Sequence, residues 1–266
     1  MSMGHTDTPI ETTENDGFRV EIREARGDII LNRPPLNVIT MNQRNEIRKA
    51  VEALDDDDRI RVIVLRSEGE NFSSGGDIRA FLDATPEAVA ELADNVAAVE
   101  RARKPVISAV RGYCFGVGFE ISLACDFRIA SETALYALPE MRIGMIPGSG
   151  GSARLLNMVG ISRTKDIVMR SRRISGKQGE AWGFVTECVD NADLETATDN
   201  LVRELVGFSP LAQRTIKRVL NTSQNLSVEG AIEIEGGAYG RLRSSHDFRE
   251  GVESFFEKRK PMFKGT

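Results

Sequence analysis

The segment RVIVLRSEGENFSSGGDIRAF, residues 61 to 81, joins an apolar run to a turn that contains two adjacent glycines. Its first part, RVIVLRSE, is the most strand-like run in the chain, and a helical pattern resumes at Ile78. Glycine loses more backbone entropy on folding than any other residue, so adjacent glycines mark a sharp bend or a close approach to another group. The segment therefore predicts a buried strand that leads through a tight turn into a helix.

A second segment, GYCFGVGFEISLACD, residues 112 to 126, repeats this order of strand, glycine-rich turn and helix. At the start of a helix, backbone N–H groups lack partners within the helix. Two such turns brought together would form an oxyanion hole, which suits an acyl thioester whose carbonyl oxygen gains charge during reaction. Two tight turns with glycine for conformational reasons alone would give the same spacing, so both interpretations stay open at this level.

Composition bounds the possible partners and location. The chain has 266 residues, enough for one large hydrophobic core or two small ones. Its net charge of -5 and its pI near 5.4 argue against a nucleic-acid partner, because phosphate binding needs a concentrated cationic face. No apolar run of about eighteen residues occurs, and the first residues are polar and acidic. We therefore expect no membrane span, no signal peptide and a cytoplasmic location.

Hydrophobic periodicity divides the chain into three parts. Residues 1 to 17 offer no apolar period and predict a flexible tail. Residues 18 to 200 alternate strands and helices and predict the core. They include a hairpin of FRVEIRE and DIILNRP, a helix from Met41 to about Asp55 with Thr40 as cap, and a helix from Thr85 to about Arg103. Residues 201 to 266 predict a helical C-terminal region.

Several common catalytic sites are missing from the sequence. Neither the GxxxxGK[ST] phosphate loop nor the HExxH zinc motif occurs. His246 could serve as the base of a Ser-His-Asp hydrolase, but no GxSxG elbow accompanies it. The run GVGFEI, residues 116 to 121, follows a strand and opens a helix as a dinucleotide site does, but Ile121 takes the place of the third glycine.

Two glutamates lie at the edges of apolar elements. Glu120 begins the apolar helix ISLACD, and Glu140 ends the strand ALYALP before another glycine-rich loop. A carboxylate at the edge of a buried element needs a partner or a functional reason. Stabilisation of a helix N-terminus is the plain alternative for Glu120, and a surface strand end is the plain alternative for Glu140.

Three segments together closely resemble the signature of the crotonase (enoyl-CoA hydratase/isomerase) superfamily. They are FSSGGDIRAF, GYCFGVGFEISLACD and YALPEMRIGMIPGSGGSARL. LNRPPLNVIT, SGKQGEAWGFVTECV and FFEKRKPMF add to the likeness, which runs from about Phe18 to Phe263. The resemblance implies an α/β fold, a spiral of repeated strand-strand-helix units with a C-terminal helical trimerisation region. It also implies a homotrimer or a homohexamer built from two trimers.

The resemblance further implies an active site on four residues. The backbone N–H groups of Ser74 and Val117 would form the oxyanion hole, and we expect the isopropyl group of Val117, where glycine is commoner, to affect the choice of acyl group. Glu120 would orient and deprotonate a water, and Glu140 would protonate carbon 2 of a 2-enoyl-CoA thioester with a pKa near 7. The product would be the 3-hydroxyacyl-CoA, or the reaction would run in reverse as a dehydration.

Coenzyme A enters this reaction as part of the substrate, and no metal or redox cofactor is expected because the thioester is the electron sink. The residues expected to contact the CoA part are Leu36, Gly76, Asp77, Ile78, Arg79, Lys258 and Arg259. The cationic members of this set would bind the phosphates, and Asp77 would cap a helix rather than catalyse. A double-bond isomerase that uses Glu140 alone, or a non-catalytic homologue that binds CoA thioesters or RNA, are the alternatives.

Overall fold

Within residues 11 to 266, which the computed structural model describes, the chain forms two β-sheets. The strands in chain order are β1 Glu11–Asn15, β2 Phe18–Arg23, β3 Arg26–Leu31, β4 Val62–Ser67, β5 Val106–Val110, β6 Tyr113–Phe115, β7 Phe127–Ser131, β8 Leu135–Ala137, β9 Ile174–Ser175 and β10 Glu187–Val189. The larger sheet has the order β1-β2-β3-β4-β5-β7-β10, and the smaller has the order β6-β8-β9.

The helices pack on both faces of the larger sheet and extend beyond it at the C-terminus. In chain order they are α1 Met41–Asp56, α2 Pro86–Ala90, α3 Leu92–Arg101, α4 Val117–Ala124, α5 Gly151–Met169, α6 Gly176–Trp182, α7 Leu194–Val206, α8 Pro210–Ser223, α9 Val228–Leu242 and α10 His246–Glu257. Thr40 caps α1 in a capping box with Gln43, as its place before the apolar period predicts. The single helix predicted from Thr85 to Arg103 forms as α2 and α3, which meet at Glu91.

Parallel pairing dominates the centre of the larger sheet. β3 pairs with β4, β4 with β5, β5 with β7 and β7 with β10 in parallel, whereas β1, β2 and β3 are antiparallel neighbours. Strands that are covered on both faces read as continuous apolar runs, which explains why RVIVLRSE is so strand-like. The predicted strand and the predicted hairpin are both confirmed.

Repeated strand-strand-helix units carry the chain from the larger sheet to the smaller one. β5, β6 and α4 form one unit, and β7, β8 and α5 form the next. β6 pairs with β8 in parallel, and a bridge between Ser73 and Cys114 places the segment after β4 on the other side of β6. The predicted α/β architecture is confirmed, and this topology brings the turn after β4 beside the turn after β6.

The edge strand β1 corrects the predicted tail. Residues 1 to 10 lie outside the described part of the chain, but Glu11–Asn15 pairs with β2 from the register Glu11 with Ile22 to Asn15 with Phe18. All five side chains of β1 are polar, and most are exposed. Backbone hydrogen bonds hold this strand, so its sequence carries no apolar period. The prediction of a flexible segment is therefore wrong for residues 11 to 15.

The helix α7 corrects the predicted boundary at residue 200. Leu194, Val202 and Leu205 of α7 pack with the larger sheet in a buried cluster that includes Val62 and Ile107. The boundary would cut through this helix and separate Val202 and Leu205 from that cluster. Helices α8 to α10 form the C-terminal region instead, with α8 packed against α9. No helix within residues 11 to 266 is long and apolar enough to cross a membrane.

Candidate active site

The turns after β4 and β6 touch at two glycines. A methyl group added to Gly116 would lie 3.6 Å from the Cα atom of Gly75, and one added to Gly75 would lie 3.3 Å from the carbonyl oxygen of Phe115. Both glycines have positive φ, 114° at Gly75 and 51° at Gly116. Side chains at these positions would be strained and would force the turns apart. The glycines therefore mark a close approach, as the sequence indicated.

The residue after each of these glycines offers an unused backbone N–H group. Gly76 follows Gly75, and Val117 follows Gly116 as the first residue of α4. Neither N–H donates a hydrogen bond to any group in residues 11 to 266. The first N–H groups of a helix have no acceptor within it, which accounts for Val117. Two free donors thus flank the contact between the turns.

Ser74, the predicted first donor of an oxyanion hole, is already engaged. Its N–H donates to the carbonyl oxygen of Leu36 at 2.8 Å. The segment around Ile39 runs parallel to the turn, with Ile39 N–H bonded to Gly75 O at 3.0 Å and Asp77 N–H bonded to Ile39 O at 3.2 Å. In such a ladder the intervening residue directs its own N–H to the other side. The prediction of Ser74 is therefore wrong, and Gly76 carries the free N–H.

Glu120 is buried and held from outside its own helix. Its side chain is 3% exposed, and its Oε1 atom accepts hydrogen bonds from the N–H groups of Ser149 at 2.7 Å and Gly151 at 3.1 Å. Gly151 begins α5, so the carboxylate lies at the N-terminus of α5 rather than serving as the cap of α4. The loop before α5 therefore fixes the position of the Glu120 carboxyl group.

Glu140 lies on the other side of Gly116, at the start of a 3₁₀ helix rather than at the end of β8. A methyl group on Gly116 would come within 3.2 Å of its Oε1 atom, and its Oε2 atom is enclosed without a hydrogen-bond partner among the described residues. The pKa of Glu140 is raised to about 7, mainly by burial and less by the Glu120 carboxylate, while its own backbone N–H and Arg44 act to lower it. The two carboxyl groups therefore interact across one site.

The site thus combines the carboxyl groups of Glu120 and Glu140 with the free N–H groups of Gly76 and Val117. The sequence model of the enoyl-CoA hydratase/isomerase family matches residues 21 to 266. The chain belongs to this family. It is 36% identical over 253 residues to a carnitinyl-CoA dehydratase of Salmonella arizonae, covering 90% of this chain and 94% of the relative.

Other members of the family agree in sequence and in structure. A probable enoyl-CoA hydratase of Bacillus subtilis is 31% identical over 243 residues, covering 89% of this chain and 94% of the relative. The crystal structure of an enoyl-CoA hydratase from Bacillus anthracis is 30% identical and superposes with a TM-score of 0.89 over 94% of this chain and 100% of that one. The crotonase fold expected from the sequence is thereby confirmed.

Val117 departs from the glycine expected in this family, but its side chain is not in the site. The residue is 2% exposed and belongs to the main hydrophobic core cluster. The isopropyl group therefore packs in the core, while the N–H has no acceptor within residues 11 to 266. This packing does not support the expectation that the Val117 side chain shapes the choice of acyl group.

Arg44 of α1 is a site residue that the sequence reading missed. It is 6% exposed, its guanidinium lies 5.5 Å above the ring of Phe81, and its Nη2 atom would be 2.7 Å from a methyl group on Gly76. Burial lowers the pKa of Arg44, whereas the charges of Glu120 and Glu140 raise it. The available signal was its spacing, because residue 44 continues the buried face that Ile47, Val51 and Leu54 form on α1.

The residues predicted to bind CoA divide into two groups. Leu36, Gly76, Asp77, Ile78 and Arg79 lie together at the first turn, with Leu36 43% and Ile78 52% exposed. Asp77 accepts a hydrogen bond from the N–H of Arg79 at 3.2 Å, and the following 3₁₀ helix has no side-chain cap, so Asp77 supports the turn and does not cap a helix.

Lys258 and Arg259 are placed elsewhere, at the end of α10. Arg259 pairs with Glu250 and with Glu257, each at 2.5 Å. No hydrogen bond or ion pair in the described part of the chain joins either cation to the turn at Gly76. The fold of one chain thus does not connect these two cations to the first turn.

Proposed function

We propose that this protein adds water to a 2-enoyl-CoA thioester to give the 3-hydroxyacyl-CoA, or catalyses the reverse dehydration. One observation carries the proposal: two carboxyl groups in different environments meet beside two unused backbone N–H groups. Relatives named as a carnitinyl-CoA dehydratase and a probable enoyl-CoA hydratase support a reaction of this class. A 2-enoyl thioester has a carbonyl oxygen for the donors and two alkene carbons for the acids.

The N–H groups of Gly76 and Val117 would bind the thioester carbonyl oxygen. This polarises the conjugated double bond, so carbon 3 becomes electrophilic and negative charge collects on the oxygen as water adds. Each donor to such an oxygen contributes about 3 kcal/mol to the transition state in other enzymes. Because both donors belong to the backbone, the isopropyl group at residue 117 leaves this function intact.

The two glutamates would divide the proton transfers. Glu120, fixed by the N–H groups of Ser149 and Gly151, takes a proton from water as its oxygen bonds to carbon 3. Glu140, whose pKa is raised to about 7, gives its proton to carbon 2. The atoms of one water are thus added across the double bond, and the proton accepted by one glutamate replaces the proton lost by the other.

The CoA part would follow the exposed side of the first turn. Leu36, Asp77 and Ile78 would line its path, and Arg79 would supply a cation for a phosphate. Lys258 is the further candidate, while Arg259 would first have to leave Glu250. We propose no metal or redox cofactor, because the thioester itself accepts the electrons of the reaction. Coenzyme A is then part of the substrate and leaves with the product.

Loss of the conjugated thioester absorbance of crotonyl-CoA tests the proposal with wild type, Glu120→Gln and Glu140→Gln. Loss of hydration in both variants supports the two-carboxyl mechanism. Full activity in Glu120→Gln with none in Glu140→Gln would instead indicate a double-bond isomerase that uses one base. Binding of crotonyl-CoA without turnover by wild type would indicate a non-catalytic thioester-binding protein.

We also propose a homotrimer, alone or as a dimer of trimers, assembled through the C-terminal helices. Helices α9 and α10 expose Tyr239, Phe255 and Phe256, each by at least 75%. An exposed apolar patch of this kind on a folded chain commonly marks an interface. Light scattering checks the assembly, with an expected mass of three or six times 29.3 kDa. A monomer mass would contradict it.

A further inference from the structure

Arg44 places an unpartnered cation in the interior of the site. Its Nε atom is enclosed without a hydrogen-bond partner, and no hydrogen bond within the described residues contributes to its pKa. Every other buried arginine in this part of the chain has a partner: Arg26 pairs with Asp28, and Arg128 donates to backbone carbonyls. A guanidinium that is almost completely buried and has no hydrogen-bond partner is costly, and such a group calls for a ligand.

The guanidinium lies beside the reacting centre and not on the CoA path. Its Nη2 atom takes up the space that a side chain at residue 76 would fill, next to the free N–H of Gly76. The CoA path runs over Leu36 and Ile78, which are half exposed, whereas Arg44 is 6% exposed. With CoA on that exposed path, the acyl group would lie at the buried end of the site. Arg44 would then be a positive charge beside the acyl group.

The neighbouring carboxylates do not satisfy the hydrogen-bond donors of Arg44. The two charged groups that raise the pKa of Arg44 are Glu120 and Glu140, and within residues 11 to 266 neither forms a hydrogen bond with it. The carboxyl group of Glu120 is bonded to backbone N–H groups, and the ring of Phe81 covers one face of the guanidinium. The remaining N–H groups of Arg44 suit a planar anion, and carboxylate is the anion that matches the arginine fork in two parallel hydrogen bonds.

We propose that Arg44 selects 2-enoyl-CoA substrates whose acyl chain ends in a carboxylate. The inference rests on the proposed hydration and names its substrate class. A carboxylate on the acyl chain would accept hydrogen bonds from the guanidinium of Arg44 and fill the space beside Gly76. The same charge disfavours an acyl group with a quaternary ammonium, such as the carnitinyl group, because two cations would meet in a buried space.

A pair of substrates of equal shape tests the selection. Glutaconyl-CoA has a carboxylate at the end of a five-carbon acyl chain, and 5-methyl-2-hexenoyl-CoA has an uncharged isopropyl group in its place. We expect wild type to prefer the carboxylate by about 10- to 100-fold in kcat/KM, the range of a charge-assisted hydrogen bond. Arg44→Met should abolish the preference, and Arg44→Lys should retain part of it. Arg48→Met, one turn further along α1 and paired with Glu52, is the matched control and should keep it.

Calorimetry with the saturated analogues glutaryl-CoA and 5-methylhexanoyl-CoA repeats the comparison without turnover. A preference for glutaryl-CoA in binding that depends on Arg44 supports the inference, even if no thioester is hydrated. In that case only the proposed hydration would be contradicted. If the ratio of kcat/KM for the two enoyl-CoA substrates were the same in wild type and in Arg44→Met, the inference would be overturned and the proposed function would remain. A purely structural Arg44 would give that second result, because its loss would affect both substrates alike.

Discussion

Glu120 and Glu140 are the same side chain in two environments: Glu120 lies against Gly151, and Glu140 lies against Gly116. The Glu120 carboxyl group accepts two backbone hydrogen bonds, and N–H donors of this kind stabilise a negative charge. One Glu140 oxygen is enclosed with no donor, and its pKa is raised to about 7. The surrounding backbone, and not the residue type, makes the difference, and this difference supports the proposed roles of Glu120 as proton acceptor and Glu140 as proton donor.

The same contrast extends to the loops that hold the two residues. The loop before α5 offers the N–H groups of Ser149 and Gly151 to Glu120 and so fixes its position. Glu140 begins a short 3₁₀ helix after β8, and no neighbouring backbone N–H turns towards its Oε2 atom. Each loop thus sets the environment of one glutamate, and separate substitutions can change the two environments independently.

The largest effect is expected from removing the proton on Glu140. Glu140→Gln keeps the size of the side chain but cannot donate a proton, so kcat/KM for hydration of crotonyl-CoA should fall by about 100- to 10,000-fold. Circular dichroism provides the control, since the amide relieves a buried charge and should leave the fold intact. A loss of less than tenfold in this folded variant would mean that Glu140 is not the acid.

A second large effect is expected at the donor beside the glutamates. Val117→Pro removes the N–H at the first position of α4, where proline is tolerated, and also replaces the isopropyl group. Hydration should slow by about 100- to 1,000-fold, as measured for a lost oxyanion donor in other enzymes. Val117→Ala keeps the N–H and shortens the buried side chain, so it controls for the loss of packing. Equal rates in the two variants would show that the N–H of Val117 does not bind the thioester.

The position of the glutamates was predictable from sequence, but the donor near Gly75 was not. Glu120 and Glu140 stand in motifs that resemble those of the family, so their positions could be read directly. The carbonyl of Leu36, from a distant segment, accepts the hydrogen bond of the Ser74 N–H. The free N–H of the turn is therefore that of Gly76 and not that of Ser74. Local sequence predicts a turn but not its distant hydrogen-bond partners.

Other differences have the same origin in long-range contacts. The strand β1 forms by pairing with β2, with no apolar period of its own. Packing of Val202 and Leu205 on the larger sheet decides that α7 belongs to the core, across the predicted boundary. Arg44 lay on a helix face that was predicted, but only the assembled fold shows that this part of the face borders the site. Strand β4 and helix α1 were predictable because their signals are local.

The pH dependence should follow the protonation of Glu140. Its acid form predominates below the raised pKa of about 7, so kcat/KM for hydration should fall as pH rises through 7, and then by about tenfold per pH unit. The reverse dehydration passes through the same transition state and its equilibrium constant does not change with pH, so its kcat/KM should fall over the same range. In Arg44→Met the charge that lowers the pKa of Glu140 is gone, so both transitions should move to higher pH. Transitions that stay at the same pH in that variant would contradict the interaction.

The smallest effect is expected from loosening the hold on Glu120. A methyl group on Gly151 would lie 3.0 Å from Cγ and 3.2 Å from Oε1 of Glu120, so Gly151→Ala should displace the carboxyl group by a few tenths of an ångström. Weakening one hydrogen bond by about 1 kcal/mol corresponds to roughly a fivefold loss of kcat/KM. Gly148→Ala is the matched control in the same loop, because a methyl group there meets no atom within 4 Å. If both variants hydrate crotonyl-CoA at the wild-type rate, the Gly151 N–H does not hold Glu120 in its working position.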